Sequence, residues 1–206
     1  MRKKFSLNLH FNNKVVIFTI ATTLLLMVDH YFPFTPLKEL DRVILYLVIP
    51  LGIIIIGFQE SPRAYGFQFG NWRLGLLITL GALIVMVPIL WFTVKFSPAM
   101  QSYYTTISDY RLPLLTALDL IGWEFVFRGF LLFGYMQAFG DDALWMQAVP
   151  FALAHLGKPP IETFSTLFGG FLFGLVAKKT KSFVYPFVIH FFIAYSVSLF
   201  SIYQGL

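Results

Sequence analysis

The 206-residue chain has no cysteine and little charge. Without cysteine there are no disulfides, no thiol catalysis and no zinc site built on thiolates, so a metal would have to be held by His, Asp or Glu. Only 12% of the residues are charged, against about 25% in an average soluble domain. With 58% hydrophobic residues and a mean hydropathy of +0.75, that deficit predicts an integral membrane protein rather than a large water-soluble core. The net charge of +5 is small and lies mostly in short hydrophilic gaps. It reads as topology information, with membrane lipids as partners and no nucleic acid.

Seven hydrophobic segments can be placed, at 14–32, 40–58, 73–95, 112–138, 142–157, 161–178 and 182–203. The fold class they predict is all-α, a polytopic transmembrane helical bundle of about seven spans (roughly six to eight). No internal repeat, low-complexity segment or linker divides the chain, so 1–206 reads as one domain. Met1-Arg2-Lys3-Lys4 resembles the start of a signal peptide, but the next apolar run begins only near Val15. Val28-Asp29-His30-Tyr31 is no small-residue cleavage site, so a retained first helix is expected. Lys and Arg gather before the first segment, around 63–73 and at 178–181, which predicts a multi-pass protein with its N-terminus inside. The gap from Lys95 to Arg111 reads as polar and Tyr-rich.

Against this apolar background, two charges stand one helical turn apart: Glu124 and Arg128. Each costs roughly 2.5–3.5 kcal/mol at the centre of a membrane helix. Such residues face the bundle interior or a wet cavity, and mark either a site or a structural ion pair that pins helix packing. Of the four histidines, His155 and His190 fall within hydrophobic segments. Two imidazoles and a carboxylate suffice for either of two chemistries. They can hold a zinc ion that activates water, with His155, His190 and Glu124 as ligands. Alternatively, with no cofactor, the carboxylate is general base and a histidine stabilises the oxyanion. Glu162 and Lys158 lie close to His155 in sequence. Glu162 is either the N-terminal acid of the sixth helix, favoured by the dipole, or a second carboxylate at the mouth of the site. Asp119, one turn before Trp123, is a further candidate for a hydrogen bond within the bundle. Gly169, Gly170 and Gly174 read as points of close helix approach.

At these residues the chain resembles the CPBP family of intramembrane proteases, which includes the type II CAAX prenyl endopeptidases and the Abi or bacteriocin-processing proteins. That family's signature is Glu-Glu-x-x-x-Arg, then Phe-x-x-x-His, then His-x-x-x-Asn or a similar small polar residue. Here the first motif is Trp123-Glu124-Phe125-Val126-Phe127-Arg128, the second runs from Phe151 to His155, and the third begins at His190 with Ala194 four residues on. The resemblance covers roughly residues 112–203. It implies hydrolysis of a peptide bond in a membrane-associated peptide or protein, with Glu124, Arg128, His155 and His190 as site residues. The Gly-Trp-Glu-Phe form followed by His-Leu-Gly-Lys-Pro at 155–159 looks like a variant of bacterial members, which implies a bacterial cytoplasmic membrane.

Two departures bear on mechanism. Trp123 stands where the family keeps the glutamate usually assigned as catalytic, and Ala194 replaces the polar residue expected near the oxyanion. Adjacent helical positions point about 100° apart. Either the helix is rotated and Glu124 is the base, or Glu162 or Asp119 supplies a carboxylate, or the protein is an inactive membrane scaffold or immunity protein. A transporter with a midplane site would be expected to show inverted repeats or paired broken helices, and the sequence has neither.

Overall fold

The computed structural model describes residues 10–105 and 112–204. The basic residues Arg2 to Lys4 and the Arg111 end of the Tyr-rich gap lie outside that range. Among the described residues the regular structure is helical. We number the helices α1 (Asn13–Tyr31), α2 (Lys38–Gly57), α3 (Trp72–Phe96), α4 (Pro98–Thr105), α5 (112–139), α6 (Ala143–Leu153), α7 (Pro160–Thr180) and α8 (Val184–Gln204). Helix α5 runs without a break through Leu112–Glu124, Phe125–Leu131 and Leu132–Phe139.

All seven hydrophobic segments are helical. Five of them, α1, α2, α3, α7 and α8, are long and apolar enough to cross a membrane. The fifth segment is short for a full span. Helix α6 has 11 residues and stops at Leu153, about 16 Å of rise against a hydrocarbon core of roughly 30 Å. His155 therefore sits in the turn after α6, part-way through the bundle. The Tyr-rich gap holds a helix, α4, that the hydrophobic pattern did not announce. Ser97 Oγ accepts from Met100 N at 3.4 Å at its start, and Pro98 takes the first helical position, where a missing N–H costs nothing.

Helix α5 is the core of the bundle. Every residue from Gly122 to Leu132 is buried, and Phe18, Tyr46, Tyr65 and Phe151 close around it. The outer helices turn apolar side chains outward, among them Ile56, Ile84 and Phe164. Water would not tolerate that surface and lipid does. A smaller cluster of Leu90, Val94, Met100, Tyr104 and Val197 holds α3, α4 and α8 together.

The charges sort to the two ends. At one end Lys14 pairs with Glu60 at 2.6 Å, Lys178 pairs with Asp141, and Asn71 N donates to Thr180 O at 2.8 Å. At the other, Arg42 bridges Asp29 at 3.2 Å and Asp119 at 2.5 Å.

Candidate active site

Glu124 ends the α-helical part of α5. The next seven residues, Phe125–Leu131, form a widened π-type turn. Such bulges are rare, and frequent at functional sites. All seven of its residues are buried, Arg128 among them. Glu124 and Arg128 are both fully buried, with Arg128 Nη1 3.3 Å from Glu124 Oε1. The same oxygen lies 2.6 Å from Nδ1 of His190 on α8. The guanidinium lies over the Phe151 ring, its central carbon 3.8 Å from the centroid, with Phe173 at 5.2 Å and Phe127 at 5.8 Å. Aromatic faces attract a desolvated cation, which is how an arginine is tolerated at this depth.

His155 joins from the turn after α6. Its Nδ1 donates to Phe151 O at 2.8 Å; a carbonyl can only accept, so in the neutral ring Nε2 carries the lone pair. His190, donating Nδ1–H to the Glu124 carboxylate, is left in the same state. The two ring centres are 6.4 Å apart and inclined by 30°. The turn holding His155 is fixed by Thr163 of α7, whose hydroxyl donates to His155 O at 2.9 Å.

The structure thus brings Glu124, Arg128, His155 and His190 to one place. The remaining candidates lie elsewhere. Asp119 is held by Arg42. Glu162 accepts from Lys158 at 2.8 Å and from the Tyr104 hydroxyl at 2.6 Å, in the first turn of α7, where the helix dipole favours an acid. Neither carboxylate has Glu124 or a histidine ring among these partners. Tyr104, Phe173 and Arg42 were not anticipated from the sequence; only Arg42, a charge beside a hydrophobic segment, carried any signal.

Trp123 fills the place next to Glu124. Its indole meets His155 edge-on at 5.7 Å, stacks on Phe127 at 5.5 Å and receives Arg42 at 5.2 Å. Polar capacity is left over at the centre. Arg128 Nε, Nη1 and Nη2 and Glu124 Oε2 have no hydrogen-bond partner among the described residues. Unpaired buried groups of this kind are uncommon and call for an explanation. For zinc the fit is poor: among the described residues no three His, Asp or Glu side chains converge as a ligand set, and Glu124 already faces an arginine.

Residues 110–196 match the family model described as type II CAAX prenyl endopeptidase Rce1-like. In its motif-bearing region the chain is similar to the Rce1-like type II CAAX prenyl endopeptidases. That stretch contains all four converging side chains and is less than half of the 206 residues. Neither a curated protein nor a solved structure matches the chain. The matched stretch takes in α5 through most of α8 and includes the buried residues Gly122 to Leu132. Helices α1 to α3 pack around it.

Proposed function

We propose that the protein is an intramembrane endopeptidase that hydrolyses a peptide bond in a membrane-associated peptide or protein. The observation that carries this is the buried contact of 2.6 Å between Glu124 Oε1 and His190 Nδ1. A carboxylate on Nδ1 fixes the imidazole tautomer and stabilises the imidazolium that forms when Nε2 takes a proton. Glu124 here orients His190, and the proton acceptor is His190 Nε2. A water gives its proton to that nitrogen as its oxygen bonds to the scissile carbonyl carbon. The carbonyl electron pair moves onto oxygen, where the unpaired N–H groups of Arg128 are the buried donors available to an oxyanion. Collapse breaks the C–N bond, and the leaving amine takes the proton back from Nε2. His155 presents its own Nε2 as a second acceptor beside this path.

The test is cleavage of a membrane-anchored peptide library by full-length protein in proteoliposomes. Glu124→Gln and His190→Gln are each expected to lower the rate by about 10²–10⁴-fold, with the thermal midpoint in detergent as the folding control. Cleavage that survives both substitutions overturns the mechanism. Metal content of the active wild type tests the zinc alternative: a stoichiometric metal lost on His155→Ala and His190→Ala supports it.

Trp123 favours a second reading. Its indole lies against His155, at the position where the family carries its first glutamate, and the surrounding residues are closed. A membrane scaffold or immunity protein that keeps the fold without the chemistry would look like this. Wild type that cleaves no library member, together with Trp123→Glu that does, would establish that reading.

A further inference from the structure

The chain end opposite Arg42 carries a cavity of about 370 Å³ that plays no part in the reading above. Its rim holds Arg63, Lys178, Lys181 and Gln68, and its floor is Phe133 and Met136 of α5. We propose that this cavity binds the phosphate headgroup of an anionic phospholipid from the adjoining leaflet.

Charge comes first. Lys178 is partnered by Asp141, whereas Arg63 and Lys181 form no ion pair among the described residues. Two uncompensated cations and a third held by an exposed acid suit a phosphate monoanion. The second argument is construction. The loop carrying Arg63 and the helix end carrying Lys181 are tied by backbone and side chain. Phe183 N donates to Gly66 O at 3.1 Å and Asn71 N to Thr180 O at 2.8 Å. Gln68 Nε2 donates to both Arg63 O and Lys181 O at 3.2 Å. Gly66 has φ +74°, and a Cβ there would meet the Phe133 ring at 2.6 Å, so the loop lies directly on the apolar floor. The backbone segments that carry Arg63 and Lys181 are thus tied to one another before any ligand arrives, which lowers the ordering cost of binding.

Position decides between a lipid and free phosphate, whose chemistry is shared. Phe69 and Trp72 stand exposed near this end, as interfacial aromatic residues do, and an apolar floor of Phe133 and Met136 matches the glycerol and first methylenes of a lipid rather than a hydrated anion.

Native mass spectrometry of the full chain in detergent, titrated with phosphatidylglycerol or phosphatidylcholine, tests this. Wild type is expected to retain phosphatidylglycerol in preference to phosphatidylcholine. Arg63→Gln with Lys181→Gln should weaken that retention by roughly 25-fold, about fivefold for each cation removed. If the double variant fails to fold, Arg63→Gln alone should show the fivefold loss. Asp141→Asn, which releases Lys178, should strengthen retention several-fold, an effect that misfolding does not imitate. Equal retention of both lipids, an unchanged double variant, or tighter binding of inorganic phosphate than of phosphatidylglycerol overturns the proposal.

Discussion

Glu124 and Arg128 can be tested for stability and for chemistry separately. Removing one partner of a buried ion pair strands the other charge and costs about 3–5 kcal/mol, while replacing both with apolar side chains is often neutral. Arg128→Met is therefore expected to lower unfolding free energy in mild detergent by that amount. Adding Glu124→Leu should recover most of it, yet leave no peptidase activity. A double variant as unstable as the single one would mean that the pair holds the helices together. At the basic end, the loop acid Glu60 offers a pH test. The Lys14 ammonium and the Tyr65 hydroxyl, donating to it at 2.6 and 2.5 Å, hold its carboxyl below the usual value. A depressed folded-state value gives stability that is present above the unfolded value and lost as pH falls through the folded one. The side chain is one-third exposed, so the gain is small, under about 1 kcal/mol. The thermal midpoint of wild type minus that of Glu60→Gln should be positive above the ordinary carboxylate range and shrink as the pH falls below it. A difference that grows on acidification contradicts this.

Helix α5 shows which elements a sequence pattern reveals. Its length and its buried charges were legible, because a 28-residue apolar run broken by Glu124 and Arg128 has few other uses. The π-type turn was not, since nothing in Phe125–Leu131 distinguishes i→i+5 from i→i+4 bonding. Trp123 and Glu124 both precede that turn, and the roughly 100° between adjacent α-helical positions sends Glu124 to His190 and Trp123 to His155. Which of the two meets which histidine depends on how α5 packs against α8 and the turn after α6, and the motif does not encode that. Helix α4 escaped for the opposite reason: a Ser-Pro start was visible, but its burial depends on α3 and α8. Of the glycines read as packing points, a Cβ at Gly170 would meet Phe151 at 3.0 Å and Ala148 at 3.1 Å, whereas one at Gly169 would meet nothing within 4 Å. The closest approach to backbone on α5 is at Gly122, where a Cβ would lie 2.6 Å from Arg42 O. Backbone cannot yield as a side-chain tip can. Gly122→Ala is predicted to cost about 1–3 kcal/mol by pushing α5 off α2, and Gly169→Ala to be neutral or stabilising; equal thermal midpoints for the two would contradict this packing.

Taken as a whole, the molecule has a basic end and a mixed end, and the difference predicts its orientation. Lys14, Arg63, Arg73, Lys178, Lys179 and Lys181 gather with Glu60, Asp141 and Asp142 at the first. At the second, Lys38, Arg42, Lys95 and Lys158 are met by Asp29, Glu39, Asp41, Asp119 and Glu162. Orientation follows the Lys and Arg excess in short loops, and acids weigh little. By that rule the basic end, which includes the start of α1, is predicted to face the cytoplasm, and the Arg42 end to face out. On that orientation the cavity lined by Arg63 and Lys181 would open on the cytoplasmic leaflet, where an anionic surface is expected to draw basic segments in. A chain without cysteine makes this directly measurable, because a single introduced thiol is the only one present. Thr35→Cys lies between α1 and α2 at the outer end, and Phe69→Cys is exposed near the basic end. In intact spheroplasts a membrane-impermeant maleimide should label Thr35→Cys at once and Phe69→Cys only after permeabilisation. The reverse pattern would invert the topology, and with it the leaflet from which the lipid is drawn, while leaving the Glu124–His190 geometry untouched.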